Sequence, residues 1–131
     1  ELGITDMVTF LGAKDQDTLV YYYSAAEMVV MPSHYESFGM VAIEAMACGI
    51  PSITTGVGGV LEVIDNPQHG IVIGSQDEVA LVSALKDLLE DKDKRIAIGA
   101  QGRKRILNQF SLKKMLRKYQ TVYDKMVDSK K

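Results

Sequence analysis

The chain has 131 residues, 47% of them hydrophobic, which fits one globular domain burying about two thirds of the surface its unfolded form would expose. Lys and Arg total 15 against 17 Asp and Glu, a formal net charge of -2, so nothing in the overall charge draws it to nucleic acid or to an anionic membrane. The single cysteine, Cys48, excludes an internal disulfide and favours a reducing, cytoplasmic setting; residues 1–6 lack the basic and apolar regions of a signal peptide, and no apolar run approaches the roughly 20 residues of a membrane span.

In chain order, the run M-V-T-F-L at 7–11 is short, apolar and rich in strand formers, and Gly12 stops it, which predicts a strand. Asp15 or Asp17 can cap a following helix that carries Leu19, Tyr22, Tyr23 and Ala26 along one face. Residues 28–31 are apolar throughout, as in a strand covered on both faces, and Pro32 ends it. After the polar loop at 33–37, Met40, Ala42, Ile43, Met46 and Ala47 give helical spacing over 38–48, with Gly49 as the stop and Pro51 beyond. Residues 52–55 predict a third strand, 55–59 a glycine-rich turn, 60–64 a short helix and 70–74 a fourth strand. From there the chain reads as nearly continuous helix, over 77–89 with Val79, Leu81, Val82, Leu85, Leu88 and Leu89 inward, then 94–108, then 112–127.

Strands that alternate with helices imply βαβ units and a parallel sheet, so the class is α/β. Four strands are few for an open doubly wound sheet, and the chain starts at Glu1 close to its first strand, so it is expected to be cut from something longer.

The stretch at 32–59, P-S-H-Y-E-S-F-G-M-V-A-I-E-A-M-A-C-G-I-P-S-I-T-T-G-V-G-G, combines a buried strand, a loop at its carboxyl end and a helix start. Open α/β sheets bind ligands at that place, and the free N–H groups of a helix start suit a phosphate. Gly39 would let a ligand approach the backbone. Glu36 precedes the helix and Glu44 lies within it, on the order of 10 Å further along the axis, which excludes an acid/base pair acting on one bond. The separation suits a long ligand with hydroxyl pairs at both ends and a diphosphate between them.

This pattern, P-S-x-x-E-S-F-G followed by E-A-M-A-C-G-I-P, with Glu36 and Glu44 separated by seven residues, resembles the C-terminal, nucleotide-sugar-binding domain of group 1 retaining glycosyltransferases. The similarity runs over about residues 7–123, and its specific part is 32–59. The resemblance implies a Rossmann-like parallel sheet flanked by helices, as a partial C-terminal domain of the GT-B fold. It implies transfer of a sugar from a UDP-, GDP- or ADP-sugar to an acceptor with retention of configuration. Glu36 would be the catalytic-site residue, on the hydroxyls of the donor sugar, and Glu44 would take the ribose. Ser37 and the backbone N–H groups around Phe38, Gly39 and Met40 would meet the sugar or the diphosphate, with Gly58 and Gly59 forming the neighbouring wall.

Neither a metal nor a cofactor is implied, the nucleotide sugar being the substrate. Residues 1–131 would form a single, truncated donor-binding domain, with a helix at 111–128 that packs on an N-terminal domain outside this chain. The basic pair with which the family neutralises the leaving diphosphate lies before the region matching Met7 and has no counterpart here, so the chain is expected to hold a donor without turning it over.

Other features have plainer readings. Asp15-Gln-Asp17 imitates a D-x-D metal motif, yet it opens a helix, where acids cap. The turn at 55–59 matches no dinucleotide or Walker motif. His34 reads as a solvated loop residue, His69 as part of a turn, Cys48 as a small apolar residue and Tyr21 to Tyr23 as the core and rim of a helix. The plain reading of Glu44 is a buried acid satisfied by a backbone N–H. Lys113, Lys114, Arg117 and Lys118 read as a solvated face rather than a membrane contact, because Asp124 and Asp128 interrupt the run. Two rival functions are a non-catalytic nucleotide-sugar-binding or regulatory module and a sugar-nucleotide epimerase of the same architecture, the latter opposed by the Glu spacing.

Overall fold

Val29–Met31 (β1), Ser52–Thr55 (β2) and Ile71–Ile73 (β3) form a parallel sheet in the order β1-β2-β3, in a computed structural model that describes residues 2–129. Met31 pairs with Thr54, and Thr54 with Val72, so the register is continuous across the strands. Every residue of β2 is buried, as expected of a middle strand covered on both faces.

Among the described residues six α-helices accompany the strands: α1 (Gln16–Ala25), α2 (Met40–Ala47), α3 (Val60–Val63), α4 (Glu78–Glu90), α5 (Lys92–Arg105) and α6 (Leu112–Asp128), with a π turn at Ile106–Phe110. On one face of the sheet Met31, Ala42, Met46, Val60, Val63, Ile64 and Ile106 form a core; on the other, Ile53, Ile73, Ala84, Leu88 and Ile98 form a second. Alternation along β2 sends Thr54 to the first and Ile53 to the second, the period-2 rule at work. At about 25 cal/mol per Å² of apolar area, full burial of residues such as Met46 or Leu88 stabilises by roughly 2 kcal/mol each.

Arg105 staples α5 to the end of α3 and to Asp65 just beyond it. Its guanidinium donates to the carbonyls of Val63 (2.6 Å) and Glu62 (2.7 Å) and pairs with Asp65 at 2.8 Å. His69 Nδ1 lies 2.7 Å from the same carboxylate. The hydrogen bond with His69, then the charge of Arg105, hold the Asp65 carboxyl below its usual range.

Several expectations are corrected. No strand forms at 7–11: Thr5–Met7 is a 3-10 turn, and the residues after it run exposed, Phe10 by 94%. A strand is stabilised through its ladder, and β1 pairs with β2 alone, so the sheet has three strands rather than four. The expected inward set on α4 is also too wide. Leu88 is buried and Leu81 and Leu85 half-buried, but Val79, Val82 and Leu89 are exposed, and Ala84 is buried instead. A narrow sheet and one neighbouring helix cover a single stripe at spacings of three and four. On α1, Leu19 and Tyr23 are half-buried whereas Tyr22 is exposed.

No residue of α6 is buried, and Leu112, Met115, Leu116, Tyr119, Val122, Tyr123 and Met126 make one apolar side of it. Among the described residues, no helix is long and apolar enough to cross a membrane.

Candidate donor site at the start of α2

The helix expected over 38–48 starts later because Gly39 sits at φ 83°, a left-handed position no α-helix contains. Gly39 is the N-cap residue and offers no side chain to the helix. The first backbone bond of α2 runs from Ile43 N to Gly39 O (3.1 Å), which leaves the N–H groups of Met40, Val41 and Ala42 without intrahelical acceptors. No acidic side chain stands in the first turn. At the other end, the Arg103 guanidinium donates to Ala47 O at 2.8 Å and meets the negative pole of the helix. The positive pole is therefore the one left open.

The loop above that pole is held at both ends and in between. Thr55 Oγ1 donates to Ser33 O (2.5 Å), tying the loop to the end of β2, and Gly59 N donates to Ser37 O (3.0 Å). The Phe38 ring leans on Phe110, with centroids 6.1 Å apart. Gly58, at φ 58°, and Gly59 lie so close to this loop that a Cβ on the former would overlap the Glu36 carbonyl, and one on the latter would meet Phe38 Cδ2 at 2.8 Å. The glycine-rich turn is thus a wall pressed against Glu36, Ser37 and Phe38.

Glu36 is half-buried, and its Oε1 accepts only a local bond from Ser37 N at 3.0 Å. Ser37, Phe38 and Met40 are exposed, Gly39 is buried and Gly59 half-buried. Glu44 is half-buried, and its partner is a side chain rather than a backbone N–H: the Tyr23 hydroxyl of α1 donates to its Oε2 at 2.9 Å. Burial first, and then the Glu44 carboxylate, push the Tyr23 phenol up to about 12. Helical spacing sets Tyr22 and Tyr23 apart from Tyr21, but nothing in the sequence chooses between those two, since only the packing of α1 on α2 selects which ring reaches Glu44.

Two hollows flank these residues. One, of about 320 Å³, lies between α1 and α2 and is lined by Gln16, Leu19, Val20, Tyr23, Glu44, Ala47 and Cys48. The other, of about 550 Å³, opens at the carboxyl ends of the strands, between the loop after β1 and the start of α4, with His34, Thr55, Gln76, Asp77 and Glu78 in its lining. His34 is exposed, in line with its reading as a solvated loop residue, and borders this second cleft. Glu36, Ser37, Phe38, Gly39, Met40 and Gly59 gather round the start of α2 and line neither hollow, whereas Glu44 lines the first. At the start of α1, Asp15 caps as expected, accepting from Thr18 N at 2.8 Å.

Residues 1–105 match the family described as Glycosyl transferases group 1. The chain belongs to that family. It is 39% identical over 126 residues to the D-inositol 3-phosphate glycosyltransferase of Salinispora tropica, covering 96% of this chain and 26% of that protein. Among solved structures, sucrose-phosphate synthase from Thermosynechococcus elongatus is 37% identical with a TM-score of 0.89, over 96% of this chain and 32% of that one. The C-terminal domain of a glycosyl transferase group 1 family protein from Francisella tularensis is 27% identical with a TM-score of 0.71, over 80% of this chain and 53% of that one. The fold is that of GT-B glycosyltransferases, in the part those enzymes carry as the C-terminal domain. The chain spans about a quarter of the length of the first of these relatives, 26%.

Proposed function

We propose that the chain is the donor-binding part of a retaining glycosyltransferase that transfers a sugar from a UDP-, GDP- or ADP-sugar to an acceptor. The observation that carries this reading is the open positive pole of α2, with one carboxylate before it and one within the helix. In this reading the N–H groups of Met40, Val41 and Ala42 receive the diphosphate, and with it the charge that develops on the leaving group. Glu36, the catalytic-site residue, accepts from the hydroxyls of the transferred sugar, and Glu44 accepts from the ribose. Ser37, Phe38, Gly39 and Met40 form the backbone lip, and Gly59 keeps that lip in place.

The same reading gives α6 its partner. The apolar side of that helix docks on an N-terminal domain of the same protein, which also supplies the acceptor site, while the cations that complete the diphosphate clamp come from the segment of the donor-binding domain that precedes the region matching Met7. The names of the family relatives differ, D-inositol 3-phosphate glycosyltransferase in one and sucrose-phosphate synthase in the other, so the acceptor is left unspecified.

The test is a titration of the whole chain with UDP, GDP, ADP and their sugars, followed by calorimetry and by amide resonances. One nucleoside diphosphate is expected to move the resonances of Met40, Val41 and Ala42. Glu44→Ala is expected to weaken it by at least about tenfold, since a hydrogen bond to a carboxylate is worth roughly 1.5–3 kcal/mol. No binding by any of them, or unchanged affinity in Glu44→Ala, would refute the proposal.

A further inference from the structure

We infer that Tyr23 is a positioning residue for ligand binding: its hydroxyl fixes the Glu44 carboxylate so that the second oxygen faces the hollow between α1 and α2 as a ready acceptor. The inference rests on the donor-binding reading above and adds to it a residue on another helix.

The geometry separates this from an ordinary helix-to-helix staple. The phenol engages Oε2 alone, at 2.9 Å, and among the described residues no Lys, Arg or His pairs with Glu44. A carboxylate seated between helices for stability alone is normally neutralised by a cation or surrounded by donors, because a half-buried charge with one neutral partner is costly. Here one partner is supplied and the remaining acceptor capacity is left over, next to a hollow of about 320 Å³. That volume falls at the small end of small-molecule sites, and its walls, Leu19, Val20 and Ala47, are apolar around the polar pair. A vicinal diol on a flat, weakly polar body fits such a lining, and a ribonucleoside has that composition.

A neutral donor suits this task better than a cation would. An Arg or Lys would saturate the carboxylate and compete with ligand hydroxyls, whereas a phenol restrains one oxygen and leaves the negative charge to strengthen the other as an acceptor. The raised phenol pKa keeps the proton on Tyr23 at every physiological pH, so its direction of donation does not change. Holding the carboxylate in one rotamer before binding removes part of the ordering cost of the complex.

The experiment compares the whole chain with Tyr23→Phe, which keeps the ring and its packing and removes only the hydroxyl. Both are titrated with the nucleoside diphosphate that binds, and with its 2′,3′-dideoxy analogue. The wild-type chain is expected to prefer the ribonucleotide by about tenfold, and Tyr23→Phe to retain about threefold or less, while the affinity for the dideoxy analogue is unchanged. A merely structural role would weaken both nucleotides equally. Equal weakening, or an undiminished ribose preference in Tyr23→Phe, overturns the inference while nucleotide binding by the wild type preserves the donor-binding reading. Failure of the wild type to bind any nucleotide overturns both. A measurement on the unmodified chain guards against a variant that folds poorly: the Tyr23 ring resonances should move with the ribonucleotide and stay with the dideoxy analogue, and identical movement with both also counts against the inference.

Discussion

The starts of α2 and α4 lie at the same edge of the sheet and are built in opposite ways. At α4, Asp77 accepts from Ala80 N at 2.8 Å and Glu78 stands in the first turn, so the pole is satisfied and its charge opposed. At α2, a glycine in left-handed conformation replaces the cap and no acid follows. A side-chain cap is worth about 1 kcal/mol and α2 forgoes it, even though α1, α4 and α5 each have one from an aspartate. Three of the six helices among the described residues are capped by an aspartate, whereas α2, α3 and α6 carry no side-chain cap; what sets α2 apart is that its open pole lies beneath a firmly held loop at the carboxyl ends of the strands. The contrast also explains why the larger cleft is a poor diphosphate site: its lining includes Asp77 and Glu78, which repel phosphate, and no Lys or Arg.

The contrast can be broken most severely through the glycine-rich wall. Gly58→Ala places a methyl group on the Glu36 carbonyl at a left-handed position, and strain plus overpacking are expected to cost about 3 kcal/mol, read as a fall in the urea midpoint, with loss of nucleotide binding. Survival of full stability would mean that the wall is not pressed against the loop. A paired charge insertion sharpens the comparison next. Val41→Glu puts an acid into the second position of α2 and should weaken the nucleoside diphosphate by about tenfold at low salt, with recovery as salt rises. Val79→Glu, the same change at the second position of α4, should leave affinity untouched; equal effects at both positions would abolish the distinction between the poles.

Asp77→Ala carries the comparison into stability: α4 loses its cap for about 1 kcal/mol by thermal or urea unfolding, and nucleotide affinity does not change. The smallest effect concerns acid. Because Asp65 titrates below its usual range when folded, its pairing with His69 and Arg105 contributes stability that is present above the ordinary carboxylate value and is lost as pH falls through the folded value, in the range below about 4. Asp65→Asn should flatten that acid limb of a stability-against-pH curve, and an unchanged limb would show that the staple carries no pH-dependent stability.

The sequence by itself determined the α/β class, the order of strand, loop and helix at 32–59, and an aspartate cap, Asp15 or Asp17, at the start of α1. These follow from local rules: a wholly apolar run cannot be exposed on both sides, a proline ends a ladder, and an acid before a helical period accepts the orphan N–H groups. The motif at Glu36 and Glu44 was legible for the same reason, since its residues are neighbours along the chain and the family signature lies in one continuous stretch.

What only the tertiary structure decided are the pairings between distant segments. Whether 7–11 is a strand depends on a neighbouring strand to pair with, which composition cannot supply, and so the apolar pattern there misled. The burial of Leu88 but not Leu89 reflects how much of α4 a three-strand sheet covers. The reach of Tyr23 to Glu44, the staple of Arg105 on Asp65, and the pressure of Gly58 on Glu36 all arise from the angles at which elements meet. Such angles are set by packing of the whole core rather than by any one segment, so no window of sequence contains them.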